Sequence, residues 1–242
     1  MQAARMQRPA TVATGCEAVD LLLEGGFPTG IVSEICGVAG SGKTQLCLQL
    51  LLQAQRPLAE GGLAASCCYM YSDGLSPLKR LDQLASASDG AVSLNNIFLE
   101  AATDPVQLLH ALKTRLPPLL DQHNVRLVIV DAITAVFRGL SVDSASEAGD
   151  RSRVMFEMVN VMRILAAQYD VAFIVVNQMT ANMKTGDGTV PALGLAWSAC
   201  VNQRFEVAKT RSARTRSIKV LFSPYLPHGV LATFDITAAK LL

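Results

Sequence analysis

The chain has 242 residues, of which 50% are hydrophobic and 17% are charged, and its formal net charge is +1. A chain of this length and apolar content can bury a sizeable core, which excludes a mainly disordered protein. The net charge excludes a protein that is basic over its whole surface, although it is compatible with a local basic patch. We expect no membrane partner, because the longest uncharged segment, residues 188–203, contains a proline and several polar side chains.

Extended apolar runs alternate with helical patterns through most of the chain. Asp104 and Pro105 mark the start of one helix, which Pro117 and Pro118 are predicted to end. Alternation of this kind predicts an α/β fold, with a mostly parallel twisted sheet and helices on both faces. The predicted strands are residues 31–36, 65–71, 97–100, 127–130 and 172–176, and the predicted helices are residues 44–55, 76–87, 104–116 and 151–168.

The pattern changes after Leu193, where three β-rich segments follow one another with short turns. They lie near residues 193–208, 216–222 and 230–236, and they predict an antiparallel β end to the sheet. There is no internal repeat and no low-complexity linker. We therefore expect one domain over residues 14–242, preceded by a short N-terminal segment of residues 1–13. The six cysteines form no C-x-x-C pair, so buried free thiols are expected and a zinc site is not.

The strongest motif is a glycine-rich loop between a predicted strand and a predicted helix. It fits the phosphate-binding pattern G-x-x-x-x-G-K-[ST] at every fixed position. In such loops backbone N–H groups and the helix N-terminus bind phosphate, the lysine reaches the β- and γ-phosphates, and the hydroxyl ligates Mg²⁺. The sequence thus predicts binding of ATP with Mg²⁺. The loop residues are Gly37, Val38, Ala39, Gly40, Ser41, Gly42, Lys43 and Thr44.

Three polar residues that follow predicted strands are candidates for the chemistry of the γ-phosphate. Asp131 comes after four apolar residues, at the strand end where ligands bind in open α/β sheets, and it is predicted to hold Mg²⁺ through water. Asp73 is either the residue that orients the attacking water or a solvated turn residue. Gln178 either hydrogen-bonds the γ-phosphate or caps its strand.

These motifs, in this order and spacing, resemble the RecA-type recombinases, specifically the eukaryotic and archaeal branch. The resemblance extends from about Thr14 to Ile236, and three segments, residues 76–81, 191–197 and 223–227, are similar to one eukaryotic paralogue of the branch. It implies a P-loop ATPase of RecA type with Lys43, Asp73 and Gln178 as catalytic residues. It also implies that Gln45 and Arg80 contribute to nucleotide binding.

The resemblance further implies two DNA-binding loops, at residues 137–150 and 179–191. Arg138 and Arg151 match basic residues that flank the first loop, and Lys184 is the only cation in the second. Ordinary surface charge is the other interpretation of the two arginines. A basic cluster that contains no acidic residue lies near the end of the chain. It either binds DNA or a partner or is a solvated hairpin. Its cations are Lys209, Arg211, Arg214, Arg216 and Lys219.

Departures from the family pattern affect the expected function. The residue at the water-orienting position is normally Glu but here is Asp73, so slow hydrolysis is expected. We also expect the core to lack the family's N-terminal helical domain and its Phe-x-x-Ala polymerisation peptide, and therefore to form a complex with a sister paralogue rather than long filaments. We expect an ATP-dependent protein of homologous recombination in the nucleus, with the cytoplasm as a second location, that binds single-stranded or branched DNA. The alternative is a nucleotide-binding scaffold with negligible hydrolysis.

Overall fold

Strands and helices alternate along the chain in a computed structural model, which describes residues 9–72, 77–88, 92–138, 145–181, 188–237 and 240–241. The strands are β1 (Thr11–Val12), β2 (Phe27–Pro28), β3 (Val32–Gly37), β4 (Ser66–Tyr71), β5 (Ile97–Ala101), β6 (Val125–Asp131), β7 (Ala172–Ala181), β8 (Thr189–Pro191), β9 (Gln203–Lys209), β10 (Thr215–Phe222) and β11 (Leu231–Asp235). The helices are α1 (Glu17–Leu22), α2 (Lys43–Gln53), α3 (Leu78–Ser86), α4 (Pro105–His110), α5 (Leu116–Gln122), α6 (Ile133–Val136), α7 (Ala145–Tyr169) and α8 (Gly194–Ser198).

Nine of the described strands form one sheet, and β1 and β2 form a separate two-stranded ribbon. The strand order is β11-β10-β9-β3-β7-β6-β4-β5, and β8 pairs with β7 off this path. The six strands β9, β3, β7, β6, β4 and β5 pair parallel to one another along the sheet. Strand β10 pairs antiparallel with both β9 and β11, and β8 pairs antiparallel with β7. One apolar core packs α2 and α3 against one face, and a second packs α4, α5 and α7 against the other. The predicted fold class is confirmed.

The helix that begins at Pro105 does not end at Pro117 and Pro118, so the predicted helix end is wrong. Asp104 caps it as predicted, its Oδ1 accepting a hydrogen bond from the backbone N–H of Gln107 at 2.9 Å. The chain then passes through one π-helical turn at Ala111–Arg115 and continues as α5 to Gln122. The prolines lie in the first turn of α5, where a missing N–H breaks no helical bond, so they are tolerated.

The segment predicted as β-rich near residues 193–208 also differs from expectation. Its first part forms the helix α8, and its strand β9 runs parallel to β3 rather than antiparallel. The antiparallel end of the sheet therefore consists of β10 and β11. Because β9 lies beside β3, the hairpin of β9 and β10 is adjacent to the strand that leads into the glycine-rich loop.

All six cysteines are buried and unpaired. Burial raises the pKa of Cys36 and of Cys68 to about 12. Within the described part of the chain, no helix is both long and apolar enough to cross a membrane, and no group of three His, Cys, Asp or Glu side chains could hold a metal ion.

Candidate nucleotide-binding site

The carboxyl ends of the parallel strands gather the candidate residues at one edge of the sheet. Gly37 at the end of β3 is in register with Gln178 of β7, and Asp131 at the end of β6 is in register with Tyr71 of β4. Ligands bind at this edge in open α/β sheets, where the order of the strands reverses. Residues far apart in sequence are thus neighbours around the glycine-rich loop.

The phosphate loop connects β3 to α2 in a backbone conformation that needs its glycines. Gly40 and Gly42 have φ angles of 70° and 106°, which L side chains rarely adopt. At Gly37 a Cβ would lie 2.2 Å from the carbonyl oxygen of Val207, so β9 packs directly against the start of the loop. Backbone amides of such a loop and of the first turn of the helix after it are groups that bind phosphate anions, so this geometry suits a phosphate. Ser41 is fully buried in the loop, and its hydroxyl has no hydrogen-bond partner among the described residues.

Lys43 crosses the phosphate loop and binds its carbonyl groups. Its Nζ donates to the carbonyl oxygens of Gly37 at 2.7 Å and Val38 at 2.9 Å. Burial lowers the pKa of Lys43, and the negative charge of Asp131 partly opposes that shift. The ammonium group is therefore held within the loop by weak acceptors, and a triphosphate would offer it stronger, charged ones.

Thr44 and Asp131 come together at the mouth of the loop. Thr44 Oγ1 donates to Asp131 Oδ2 at 2.7 Å, and the Tyr69 hydroxyl donates to the same oxygen at 2.8 Å. Burial, followed by the charge of Asp131, raises the pKa of Tyr69, so the phenol stays protonated and keeps its donor role. A hydroxyl and a carboxylate oxygen side by side are ligands that suit Mg²⁺.

Sequence reasoning missed Tyr69, which lies in the middle of an apolar strand. The signal that could have found it is its position on β4, the strand next to β6, but the strand order was not known. Ser72 was also missed: its hydroxyl accepts from the backbone N–H of Ala132 at 3.0 Å and donates to the carbonyl of Ala132 at 2.8 Å. This pair of bonds fixes the chain directly after Asp131.

Gln45 and Arg80 form the side wall of the site, where α2 meets α3. Arg80 Nε donates to Gln45 Oε1 at 2.9 Å, and Arg80 Nη2 donates to the carbonyl oxygen of Thr237 at 3.3 Å. Gln45 lies in the first turn of α2, directly after the Mg²⁺ candidate Thr44. The two residues thus adjoin the phosphate loop, as their assignment to nucleotide binding requires.

Gln178, at the carboxyl edge of the sheet, contacts a residue that flanks the first predicted DNA loop. Arg138 Nη2 donates to Gln178 Oε1 at 3.4 Å, and the guanidinium carbon of Arg151 lies 5.5 Å from the centre of the Phe137 ring. Residues 145–150 of the predicted first loop belong to α7, so that loop is shorter than expected. Asp73 and Lys184 lie outside the described residues.

Two cations of the basic cluster lie at the phosphate loop, which the sequence did not predict. Lys209 and Arg216 are opposite each other on β9 and β10. A Cβ on Gly40 would lie 3.3 Å from Lys209 Nζ, and one on Gly42 would lie 3.9 Å from Arg216 Nε. Like charges placed opposite each other across strands repel, and a bound anion would relieve that repulsion. Arg211 and Arg214 are exposed in the turn between the two strands.

The family is shown by comparison with known proteins. A family model described as Rad51 matches residues 5–241, nearly the whole chain. The chain belongs to the Rad51 family. The Rad51 family consists of RecA-type recombinases that in general use ATP and Mg²⁺, and the residues gathered around Lys43, Thr44 and Asp131 fit both groups.

Similar members of the Rad51 family carry the name DNA repair protein XRCC3. The homolog of Arabidopsis thaliana is 31% identical, over 93% of this chain and 90% of the relative. The XRCC3 proteins of Bos taurus and Mus musculus are 31% and 30% identical, over 89% of this chain and 70% of each relative. The resemblance to a recombinase paralogue is confirmed: the chain is a RecA-type paralogue similar to XRCC3.

Proposed function

We propose that the chain is an ATP-binding recombinase paralogue that assists homologous recombination repair of DNA double-strand breaks in the nucleus. It binds single-stranded DNA in complex with a sister paralogue. The observation that carries the proposal is the 2.7 Å contact between Thr44 Oγ1 and Asp131 Oδ2 beside the phosphate loop. The relatives named XRCC3, which are DNA repair proteins by name, support the role in repair.

Mg²⁺·ATP would supply a phosphoanhydride bond for hydrolysis. Each residue of the site would then contribute to binding the nucleotide or the metal. Lys43 would bind phosphate oxygens in place of its two carbonyl acceptors. Thr44 would hold Mg²⁺ through its hydroxyl and Asp131 would hold it through water, while Tyr69 keeps the Asp131 carboxylate oriented. Gln178 senses the γ-phosphate, and its contact with Arg138 passes that information toward the DNA loops.

The direct test of the proposed function is to measure both ligands on the full chain, alone and with sister paralogues. Calorimetric titration should detect ATP binding that weakens when Mg²⁺ is chelated. Fluorescence anisotropy with a labelled oligonucleotide should detect single-stranded DNA binding that ATP strengthens. If neither ligand binds under any of these conditions, the proposed function is wrong.

Hydrolysis depends on Asp73, whose carboxylate is one methylene shorter than the glutamate usual in the family. A displacement of about 1 Å can cost on the order of 10²-fold in rate. We therefore expect slow turnover in the parent, faster turnover in Asp73→Glu and slower turnover in Asp73→Asn, measured as phosphate release with saturating single-stranded DNA. Equal rates for all three would remove Asp73 from the mechanism and favour the scaffold alternative with negligible hydrolysis.

DNA binding is expected to rest on phosphate contacts by Arg138 and Arg151. Each contact with single-stranded DNA contributes about 0.7 to the slope of log affinity against log salt, so the double variant Arg138→Ala/Arg151→Ala should lower that slope by about 1.4. Affinity should fall for all base sequences alike, because the loops offer little direct readout of bases. The measurement is a salt titration of the anisotropy signal.

The matched control for this experiment is Arg115→Ala. Arg115 pairs with Glu100 of the edge strand β5 at 2.7 Å, so its charge already has a partner within the protein. Its removal should leave the salt slope unchanged. A double variant that binds DNA like the parent would move the DNA site elsewhere, with Lys209 and its neighbouring cations as the next candidates.

The partner is expected to be a related ATPase that completes the nucleotide site. In RecA-type proteins a neighbouring subunit usually closes this site. Large apolar side chains are exposed on the long helix α7, where Phe156 is 49% and Ile164 is 52% exposed, and such residues favour association. Light scattering of the chain alone and with candidate paralogues should show a defined hetero-oligomer. A monomer that hydrolyses ATP at its full rate without any partner would contradict this expectation.

A further inference from the structure

A buried ion pair lies next to the phosphate loop but takes no part in the nucleotide chemistry described above. Glu34 of β3 and Arg204 of β9 are in register, and Arg204 Nε donates to Glu34 Oε2 at 2.6 Å. The side chains are 0% and 7% exposed. Burial raises the pKa of Glu34, and the charge of Arg204 opposes this rise. Apolar residues of similar volume often stabilise a core at least as well as such a pair, so its presence suggests a specific role.

The ion pair is bonded to the segment that follows the second predicted DNA loop. Asn177 Nδ2 donates both to Glu34 Oε1 at 2.6 Å and to the carbonyl oxygen of Ala192 at 2.9 Å. Arg204 Nη1 donates to Ser198 Oγ at 2.8 Å. Glu34 is therefore linked to Ala192 through the Asn177 side chain, and Arg204 is bonded directly to Ser198. These bonds fix that segment against β3 and β9.

The same segment is bonded to the candidate γ-phosphate sensor. The backbone N–H of Ala192 donates to the carbonyl oxygen of Gln178 at 2.8 Å. Just before Ala192, β8 pairs antiparallel with the end of β7, with Met179 opposite Pro191 and Ala181 opposite Thr189. We call the paired segments Met179–Ala181 and Thr189–Pro191, with Ala192 at their base, the β7–β8 hairpin. Its base is therefore held at one point by Gln178 and, through Asn177, by Glu34.

We propose that the Glu34–Arg204 ion pair is a positioning device that holds the base of the β7–β8 hairpin in a fixed relation to Gln178. A change at Gln178 on nucleotide binding is then transmitted to the hairpin, because the hairpin cannot shift independently against β3 and β9. The inference deepens the proposed function, and rests on it for the claim that the transmitted signal concerns DNA. The positioning itself is a property of the protein without ligands.

The test separates positioning from mere stabilisation with a variant that removes both charges together. In Glu34→Leu/Arg204→Met the buried charges are replaced by apolar side chains, a change that buried ion pairs often tolerate without loss of stability. We expect cooperative thermal unfolding and ATP affinity within about twofold of the parent. Amide hydrogen exchange at Val190 and Ala192 should become at least about tenfold faster, and the ATP-dependent gain in DNA affinity should disappear.

Two single variants cover the case in which the double variant does not fold. Asn177→Ser removes the link from Glu34 to Ala192, and Ser198→Ala removes the link from Arg204, while both leave the ion pair intact. We expect faster exchange in the β7–β8 hairpin for each. The control is Asp170→Asn, which weakens the ion pair with Arg126 at the opposite end of the sheet and should leave hairpin exchange unchanged.

Exchange in the free protein decides the inference without nucleotide or DNA. If hairpin exchange in Asn177→Ser and Ser198→Ala equals that of the parent, the positioning role is overturned. If exchange rises but the parent shows no effect of ATP on DNA binding, the positioning role stands and the proposed function fails. If hairpin exchange in a folded double variant equals that of the parent, the ion pair only stabilises the core and the inference is overturned.

Discussion

Replacement of Lys43 by alanine is expected to weaken ATP binding by about 10- to 150-fold. The reason is that a charge-assisted hydrogen bond contributes about 1.5–3 kcal/mol, and each 1.4 kcal/mol is a factor of ten in affinity. Calorimetric titration of ATP in the presence of Mg²⁺ measures the effect directly. Lys113→Ala is the control, since Lys113 forms a solvent-exposed pair with Glu157 away from the loop. If Lys43→Ala binds ATP as well as the parent, the phosphate-loop assignment is wrong.

The pH dependence of ATP binding provides a second readout for Lys43. Burial lowers the pKa of this ammonium group in the free protein, and a bound triphosphate raises it again by supplying negative charge. Because the protonated form binds, affinity should fall as pH rises through the lowered pKa, and binding in that range should be accompanied by proton uptake. Lys43→Ala lacks the titrating group and should not show this part of the pH dependence.

Replacement of Asp131 by asparagine is expected to lower Mg²⁺ affinity in the ATP complex by about 10- to 100-fold, the usual effect of losing a group that holds a metal through its outer ligands. The variant also removes the charged acceptor shared by Thr44 and Tyr69. A Mg²⁺ titration of ATP binding and of phosphate release measures the change. Unchanged Mg²⁺ dependence would contradict the assignment of Asp131.

A pair of tyrosine variants tests how Asp131 is held. Tyr69→Phe removes one donor to Asp131 Oδ2 and should lower Mg²⁺ affinity less than Asp131→Asn does. Tyr71→Phe is the matched control, because the two rings stack with centroids 6.5 Å apart on the same strand. An equal effect of both phenylalanine variants would mean that packing, and not the hydrogen bond of Tyr69, orients the carboxylate.

The sequence predicted the parts of the site that depend on local patterns. The loop from Gly37 to Thr44 carries its own signal, since glycines, lysine and hydroxyl have fixed spacing between a strand and a helix. Asp131 was predicted for a similar reason, as the first polar residue after an apolar strand. The antiparallel end was predicted only in outline, because α8 and the parallel course of β9 depend on packing and not on β-propensity.

Contacts between distant segments could not be predicted from the sequence. Glu34 and Arg204 are 170 positions apart, and only the pairing of β9 with β3 brings them together. The approach of Lys209 to the phosphate loop depends on the same pairing. The predicted helix end at Pro117 and Pro118 is wrong, because the π-helical turn before them is visible only in the backbone geometry.

Two of the buried cysteines lie beside the candidate nucleotide site, where the chemical reactivity of their thiols reports local opening of the structure. Cys36 directly precedes the phosphate loop and Cys47 lies in α2 just after it, and burial raises the pKa of both thiols. Since the thiolate is the reactive form, alkylating reagents modify these side chains only when the surrounding structure opens and exposes them. A nucleotide that binds the closed form would stabilise it by mass action, so we expect ATP to slow the labelling. The labelling rate of the two thiols would then report the occupancy of the loop without an attached probe.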